Sequence, residues 1–361
     1  MGRPPKERVE EDVKDFGKDD YELFNKTNKD ELKGELLEEV GVPKGHGTGS
    51  LSLDIALTQA IPQGYIYEIY ADNGVGKTTL ALEIEGQAQK NGCRVGYLDL
   101  EGTLNKSLVS SIRTLNTNLK DDKGQPMWIY KEGLIRDKET GEVKPITGEQ
   151  ALRYAKNFMG MFKNSYLVVD SVDSLVPEAI LEGKELGENT MGQLGKLLSD
   201  AMRRLHGICK MNNSTLIFIN QIRTNPGIMF GNPETTPGGK ALAFYCFQRL
   251  RLSKAGASAL IKNDDGTTIG HVVDVKIIKN KVMTTKSETQ FTLMYGKGIY
   301  REQEILDIAI GAGIITPWED MKMFLNIEGV KVKQNVAAEY LTNNPTVFDI
   351  INAKVRKIYD N

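Results

Sequence analysis

The stretch ADNGVGKTT, residues 71–79, decides the fold because it separates an apolar run from an amphipathic one. YIYEIY, residues 65–70, predicts a strand before it, and the residues after it predict a helix with Leu80, Ile84 and Ala88 on one face. A glycine-containing turn between strand and helix lets backbone N–H groups converge on phosphate oxygens, and the helix N-terminus adds positive potential. We therefore interpret the stretch as a phosphate-binding loop with the Walker A layout.

The side chains of this loop are predicted to hold a nucleoside triphosphate. Lys77 would neutralise the β- and γ-phosphates, and Thr78 offers a hydroxyl to Mg²⁺. Ala71 replaces the first glycine of the usual G-x-x-x-x-G-K-T, which would cost about 1–2 kcal/mol if that position needed a positive φ. The predicted nucleotide-binding residues of the loop are Ala71, Asp72, Asn73, Gly74, Val75, Gly76, Lys77, Thr78 and Thr79.

Strands and helices alternate around this loop. Residues 94–100, 166–170 and 215–220 are further short apolar strands with polar ends, which predicts a mostly parallel sheet with helices on both faces. Beyond Phe247 the pattern changes to antiparallel strand candidates, FQRLRL, HVVDVKII and ETQFTLMY. Residues 118–148 are long and turn-rich, and they predict a surface hairpin insertion. The fold class is therefore α/β, with a parallel core and an antiparallel extension.

Composition divides the chain into three predicted parts. Residues 1–47 are dense in charge of both signs and predict a partly helical N-terminal arm that serves oligomerisation. Residues 48–296 form the predicted nucleotide-binding core. Residues 297–361 predict a small α-rich C-terminal domain, with Val347 and Ile351 on one face of its last helix.

Two strand ends carry carboxylates that a nucleotide site needs. YLVVDSV places Asp170 at the C-terminal end of an apolar strand, where α/β folds bind ligands, and predicts a Walker B ligand of Mg²⁺. YLDLEG ends another strand with Asp99 and Glu101 on the same side. Glu101, at the strand end, is the candidate general base. From these residues alone, a solvated acidic strand end explains Glu101 equally well.

The charge and hydropathy of the chain limit its function classes. With 46 Lys+Arg against 48 Asp+Glu the formal charge is −2, so any contact with nucleic acid needs a local basic patch. The sequence has no apolar run of the ~18 residues that span a bilayer, and its start has no apolar signal core. We therefore expect a cytoplasmic protein without a membrane partner. Cys93, Cys209 and Cys246 are widely spaced and predict reduced thiols.

Several further motifs occur in an order that is more specific than the phosphate loop alone. They are TGSLSLDIAL at 48–57, TGEQAL at 147–152, MGQLGKLLSDAMRRL at 191–205, FINQIR at 218–223, GIMFGNPETTPGGKALAFY at 227–245 and VKIIKNKV at 275–282. The chain resembles the bacterial-type RecA recombinases, and a divergent phage or mobile-element member also fits. The resemblance implies a RecA-type core, ATP with Mg²⁺ bound between protomers, a helical homo-oligomer on single-stranded DNA, and pairing with homologous duplex DNA.

The resemblance assigns roles to individual residues. Glu101 matches the catalytic glutamate, and Gln221 matches the glutamine that senses the γ-phosphate and relays its state to the following loop. Lys279 and Lys281 match two lysines that reach a neighbour's nucleotide, and Tyr295 matches the aromatic residue near the adenine. The predicted catalytic residues are Lys77, Glu101 and Gln221.

The chain departs from the family pattern at two places around the nucleotide. The family's phosphate loop reads G-P-E-S-S-G-K-T, so residues 71–75 all differ, which would alter nucleotide affinity and turnover. Where the family often has an Asp and a Tyr beside the adenine, this chain has Asn105 and Leu108. That difference favours weaker recognition of the base.

Two glycine-rich stretches, residues 182–192 and 222–240, match the family's DNA-facing loops. Their backbone N–H groups can contact phosphates, and nearby lysines and arginines supply charge. Met229 and Phe230 would wedge between stacked bases. The alternatives for Phe230 are burial against its own chain and contact with a neighbouring subunit. The predicted DNA-binding residues are Lys196, Arg203, Arg204, Arg223, Met229, Phe230, Gly238, Gly239 and Lys240.

Three function classes fit these motifs. We favour a DNA-dependent ATPase that acts as a strand-exchange recombinase in DNA recombination and repair. A ring-forming helicase or ATPase on the same core is expected to lack the loop GIMFGNPETTPGG, residues 227–239. An architectural DNA-binding protein would bind ATP through the altered phosphate loop without turnover, and an ATPase assay separates it from the first class.

Overall fold

The computed structural model describes residues 45–58, 60–137, 140–181, 192–224, 233–256, 259–282, 286–319 and 321–359. The strands of these residues are β1 Gly45–His46, β2 Ile61–Pro62, β3 Ile66–Ala71, β4 Val95–Asp99, β5 Trp128–Glu132, β6 Leu134–Arg136, β7 Val143–Pro145, β8 Tyr166–Asp170, β9 Thr215–Gln221, β10 Arg223–Thr224, β11 Glu234–Thr235, β12 Gln248–Lys254, β13 Leu260–Lys262, β14 Thr268–Asn280, β15 Glu288–Met294, β16 Gly298–Ile299, β17 Thr316–Trp318, β18 Met321–Ile327 and β19 Val330–Lys333. The α-helices are α1 Leu51–Leu57, α2 Lys77–Lys90, α3 Lys106–Ser111, α4 Gly148–Met161, α5 Glu178–Leu181, α6 Gln193–Asn212, α7 Gly239–Tyr245, α8 Arg301–Gly311, α9 Ala337–Asn343 and α10 Pro345–Tyr359. Within the described ranges, none of the helices has the length and apolar character needed to cross a bilayer.

The largest sheet has the strand order β16-β15-β14-β12-β3-β9-β8-β4-β5, with β13 paired to β14. Neighbouring strands from β12 to β5 run parallel. Strands β14, β15 and β16 extend the sheet in antiparallel fashion. The predicted α/β class is therefore confirmed. The stretch FQRLRL differs from its prediction, because its strand β12 is the junction, parallel to β3 on one side and antiparallel to β14 on the other.

The parallel strands end together at one edge of the sheet. Ala71 of β3 pairs with Gln221 of β9, and Asp170 of β8 pairs with Asp99 of β4. Because these strands run in the same direction, the four residues lie along the carboxyl edge, where α/β sheets bind ligands. The edge therefore gathers residues from four separate parts of the chain.

Each face of the sheet has its own core, as the alternating side chains of β3 illustrate. Tyr67 and Ile69 belong to a core that includes Leu80 and Ile84 of α2. Ile66, on the opposite face, belongs to a core built with α4, α6 and α7. Burial of one leucine or isoleucine side chain is worth about 1.5–3 kcal/mol, so α2 is firmly anchored to the sheet. The phosphate loop is consequently held between a buried strand and a buried helix.

The insertion predicted over residues 118–148 has two parts. Strands β6 and β7 form a surface hairpin. The preceding strand β5 pairs in parallel with β4 and becomes the edge of the large sheet. Its side chains explain this difference, because Trp128 contacts one core and Ile129 contacts the other. A strand with apolar residues on both sides is more stable in the sheet than in a solvated loop.

The C-terminal residues contain the helices α8, α9 and α10 and also a three-stranded sheet, β17-β18-β19, that is absent from the prediction. Glu328 and Gly329 form the turn between β18 and β19 with φ values of 49° and 82°. A third core joins this segment to α1, because Leu51 is buried with Ile327 and Ile351. The predicted boundary before residue 297 stays a prediction, and the predicted N-terminal arm lies almost entirely outside the described residues.

Helix α2 carries two buried glutamates with different surroundings. Glu83 accepts hydrogen bonds from Arg301 and, at 3.1 Å, from Thr114 Oγ1. Glu85 is 0% exposed, and one of its oxygens accepts from Trp128 Nε1 at 3.2 Å. The other oxygen of Glu85 has no hydrogen-bond partner among the described residues. Burial raises the pKa of Glu85 well above its usual value.

We expect Glu85→Gln to stabilise the protein at neutral and alkaline pH. A carboxyl whose pKa is raised by folding favours the folded state at low pH, and that contribution is lost as pH rises from 4.5 through the folded-state pKa. The substitution removes the buried charge and should raise the free energy of unfolding by about 1–3 kcal/mol at about pH 8. Urea unfolding at several pH values measures this.

The matched control for this prediction is Glu83→Gln on the same helix. It should lower the free energy of unfolding, because it weakens the ion pair with the mostly buried Arg301. If Glu85→Gln and wild type were equally stable at alkaline pH, Glu85 would be hydrated in the folded protein.

Candidate nucleotide-binding site

The phosphate loop is built from a strand end, two left-handed glycines and a helix start. Ala71 is the last residue of β3, and its side chain is fully buried. Because a strand residue has an extended backbone, alanine in place of the family's glycine causes no strain here. Gly74 and Gly76 have φ values of 70° and 117°, a region that favours glycine. Helix α2 begins at Lys77, directly after Gly76, so its free N–H groups face the loop. This backbone can bind phosphate.

The two predicted Mg²⁺ ligands lie in contact beside the loop. Thr78 Oγ1 donates a hydrogen bond to Asp170 Oδ2 at 3.0 Å. The buried hydroxyl of Tyr97 donates to the same oxygen. Burial raises the pKa of Asp170 to about 6, while the hydrogen bonds from Tyr97 and Thr78 oppose the rise. A hydroxyl and a carboxylate are hard oxygen ligands of the kind that Mg²⁺ prefers, so the pair fits the ion.

Lys77 turns back towards its own loop. Its Nζ donates to the carbonyl oxygens of Ala71 at 3.1 Å and of Asp72 at 2.9 Å. Burial lowers the pKa of Lys77, and the carboxylates of Asp170, Glu101 and Asp72 act in the opposite direction. These two hydrogen bonds hold the ammonium group of Lys77 at the loop. Phosphate oxygens could replace the two carbonyl oxygens as its acceptors.

Glu101 follows the end of β4, Gln221 is the last residue of β9, and the two side chains meet at the carboxyl edge. The Oε1 atom of Glu101 accepts from Ser171 Oγ at 2.5 Å and from Gln221 Nε2 at 3.3 Å. Gln221 also pairs with Ala71 in the neighbouring strand. The side chain of Gln221 thus contacts the candidate general base, while the backbone of Gln221 lies beside the phosphate loop.

Asp99, the last residue of β4, has a different role from Glu101, which follows two residues beyond the strand. It is 0% exposed and accepts from the backbone N–H groups of Gly102 at 2.8 Å and Leu104 at 2.9 Å. The hydroxyl of Tyr130 donates to it at 3.2 Å. These bonds occupy the carboxylate and order the turn that carries Glu101. Of the two acids, the exposed Glu101 is therefore the better candidate for a base.

A cavity of about 550 Å³ borders these groups. Its lining includes Lys77, Thr78, Glu101, Asp170, Gln221 and Tyr295. Tyr295, the predicted adenine neighbour, is 49% exposed, and its hydroxyl lies 3.2 Å from His271 Nδ1. The other ring nitrogen of His271 lies 3.1 Å from the carbonyl oxygen of Val75. The imidazole consequently joins Tyr295 to the phosphate loop.

Three residues of this site are missing from the sequence prediction: Tyr97, Ser171 and His271. A signal existed for the first two, since Tyr97 shares the strand face of Asp99 and Ser171 directly follows Asp170. His271 lies 196 residues from its partner Val75, and no local pattern points to it.

The departure from the family pattern at Asn105 has a local explanation. Its side chain accepts from the backbone N–H of Leu108 at 2.9 Å and caps the N-terminus of α3. Leu108 itself lines the cavity, where it offers an apolar surface. The predicted weaker recognition of the base stays a prediction.

Lys279 and Lys281 lie away from the cavity of their own protomer. Lys279 Nζ donates to the carbonyl oxygens of Ala243 and Phe244, both at 2.8 Å, at the C-terminal end of α7. Lys281 is exposed. Of the residues that the structure describes, the cavity lining contains neither lysine. The predicted contact of these lysines with a neighbour's nucleotide stays a prediction.

The helices that follow the two predicted DNA loops, α6 and α7, begin side by side. A Cβ at Gly238 would lie 2.5 Å from Leu198 Cδ1, and one at Gly239 would lie 3.8 Å from Gly195 Cα. With a φ of 95° as well, position 238 is suited only to glycine. The predicted basic residues Lys196, Arg203, Arg204 and Lys240 are exposed on these helices.

Among the remaining predicted DNA contacts, the structure describes Arg223 but not Met229 or Phe230. Arg223 is exposed and forms an ion pair with Asp173, so it would have to exchange a carboxylate for a phosphate to bind DNA. Met229 and Phe230 lie outside the described residues, as do residues 182–191. The predicted wedge between bases and its alternatives stay predictions.

The parallel sheet, the left-handed glycines and the Thr78–Asp170 pair define a nucleotide-binding protein of the P-loop class. A sequence profile described as the RecA N-terminal domain matches residues 24–124 and 126–300. "Protein RecA" of Azospirillum lipoferum (strain 4B) is 40% identical over 312 residues, which are 86% of this chain and 79% of that protein. "Protein RecA 2" of Myxococcus xanthus is 40% identical over 316 residues, 86% of this chain and 80% of that protein. The chain belongs to the RecA family, as the resemblance predicts.

Proposed function

We propose that this chain is an ATP-dependent DNA recombinase, which forms helical filaments on single-stranded DNA and promotes homologous pairing and strand exchange with duplex DNA. The contact between Gln221 Nε2 and Glu101 Oε1, at 3.3 Å, carries the proposal. Gln221 is the last residue of β9, and the loop over residues 222–240 follows it directly. A change at the γ-phosphate would then reach the predicted DNA loop through the side chain of Gln221, to which the family resemblance assigns the sensing of that phosphate.

The same geometry supports ATP hydrolysis as part of the proposal. Glu101, held at the cavity by Ser171 and Gln221, acts as the general base and accepts the proton of the attacking water. Lys77 stabilises the negative charge that develops on the β- and γ-phosphates. Thr78 and Asp170 would hold Mg²⁺, which would neutralise phosphate charge when it is bound.

Two lysines extend the proposal to a neighbouring subunit. Because Lys279 and Lys281 lie away from their own cavity, we assign them to the ATP of the next protomer. Lys279 would then exchange the carbonyl oxygens at the end of α7 for phosphate oxygens. ATP bound in this way would favour assembly, since the phosphates attract charge from both protomers.

The experiment that tests the proposal combines an ATPase assay with negative-stain images. We expect single-stranded DNA to stimulate hydrolysis, and we expect helical filaments with a slowly hydrolysed ATP analogue and single-stranded DNA. Closed rings would favour a helicase or ring ATPase instead. ATP binding without turnover, with or without DNA, would favour an architectural DNA-binding protein.

A further inference from the structure

The hairpin formed by β6 and β7 has no role in the proposed function, and one of its exposed faces carries three apolar residues and one arginine. Leu134 pairs with Pro145 and Arg136 pairs with Val143, so these four side chains share one face. Leu134 is 39% exposed and Val143 is 48% exposed. Two-stranded hairpins are marginally stable by themselves, and an apolar strip on one of them favours contact with another surface.

The hairpin leaves the sheet next to the candidate general base. The N–H of Gly133, immediately before β6, donates to the carbonyl oxygen of Asp99 at 2.7 Å. After β7, the N–H of Ile146 donates to the carbonyl oxygen of Gly133 at 2.9 Å, which closes the base of the hairpin. Asp99 also orders the turn that carries Glu101. The hairpin therefore continues the carboxyl edge that borders the nucleotide cavity.

The charges of this segment argue against nucleic acid as the covering partner. Residues 131–145 carry four basic residues, Lys131, Arg136, Lys138 and Lys144, and four acidic ones, Glu132, Asp137, Glu139 and Glu142. A surface that binds DNA needs an excess of positive charge, because most of its affinity comes from phosphates. An apolar strip among balanced charges is instead typical of contact between proteins.

We propose that Leu134 and Val143 bind a second copy of this chain, namely the protomer that closes over the ATP cavity. The identity of that partner rests on the proposed function, in which Lys279 and Lys281 of a neighbour approach this cavity. A surface that continues the cavity edge faces the same neighbour. The hairpin would then enlarge the contact between protomers beyond the nucleotide itself.

The test compares two faces of the same hairpin. The double variant L134S/V143S should raise the protein concentration needed for assembly on single-stranded DNA, by on the order of tenfold, because both side chains would lose an apolar partner. The matched control is I135S, whose side chain is 39% exposed on the opposite face, across from Lys144. It should assemble like wild type. Both variants should melt like wild type and bind a fluorescent ATP analogue unchanged as monomers.

A crosslinking experiment separates this proposal from the proposed function. V143C, labelled with a photoreactive maleimide, should crosslink one full-length chain to another in a concentration-dependent manner. Filaments that form without this crosslink, or that tolerate L134S/V143S as well as I135S, would overturn the hairpin contact and leave the recombinase function standing. Crosslinked copies that build closed rings rather than filaments would keep the hairpin contact and overturn the recombinase function.

Discussion

Lys77→Ala is expected to weaken ATP binding strongly. Lys77 is the one described lysine or arginine among the lining residues of the cavity, so no other lining residue of the same protomer can replace its charge at the phosphates. Loss of a charge-assisted contact to a triphosphate should lower the affinity for ATP by about tenfold to a hundredfold. Titration with a fluorescent ATP analogue measures the loss, and ATP-dependent DNA binding should disappear with it.

The control for this variant lies on the same helix. Lys90→Ala changes an exposed lysine at the other end of α2 and should bind ATP like wild type. Since Lys77 also holds the carbonyl oxygens of Ala71 and Asp72, thermal melts must establish that the variant stays folded. A folded Lys77→Ala variant that still bound DNA in an ATP-dependent manner would contradict the assignment of the whole site.

Glu101→Gln is expected to lower ATP turnover by about 10²–10⁴-fold while ATP binding and filament assembly persist. The amide keeps an oxygen that can accept from Ser171 and Gln221, so the geometry is retained and the base is lost. Single-turnover hydrolysis measures the effect. Glu132→Gln, which alters another exposed carboxylate at the same sheet edge, serves as the control and should keep normal turnover.

Asp99 provides the internal check on that assignment. Asp99→Asn should disturb the turn at Gly102 and Leu104, so its effect should include lower stability as well as lower turnover. Glu101→Gln should affect turnover alone. Normal turnover in Glu101→Gln would show that a different group activates the water.

The nucleotide site could be predicted because its chemistry depends on short spacings within single strands and turns. Lys77 and Thr78 follow from one motif, and Asp170 follows from the end of one apolar strand. The different roles of Asp99 and Glu101 could not be read in this way. The sequence places both on one face of a predicted strand, but β4 ends at Asp99 and Glu101 lies in the turn that follows. Only that turn reveals that backbone N–H groups bind the carboxylate of Asp99 and leave Glu101 exposed.

Local sequence patterns could not predict contacts between residues that are far apart in the chain. His271 reaches the phosphate loop only because β14 and β15 extend the sheet past β12. The small sheet β17-β18-β19 had a visible signal in the alternation of MKMFLNI and VKVK, but the helical periodicity of the residues that follow dominates the segment. The role of β5 as the sheet edge depends on two cores that residues far away in sequence build.

If Lys279 contacts the ATP of the next protomer, as we propose, it makes the two ends of an assembly unequal. In a protomer with no neighbour to reach, its ammonium group caps the C-terminal end of α7 through the carbonyl oxygens of Ala243 and Phe244. A protomer whose Lys279 contacts the next ATP gives up both bonds, and the helix behind the loop at 222–240 loses its cap. One terminal subunit would therefore keep a more rigid α7 than every subunit inside the filament. The two ends of such a filament would therefore differ in how well ordered the C-terminal end of α7 is. That difference would distinguish the end at which the filament grows from the end at which it shortens.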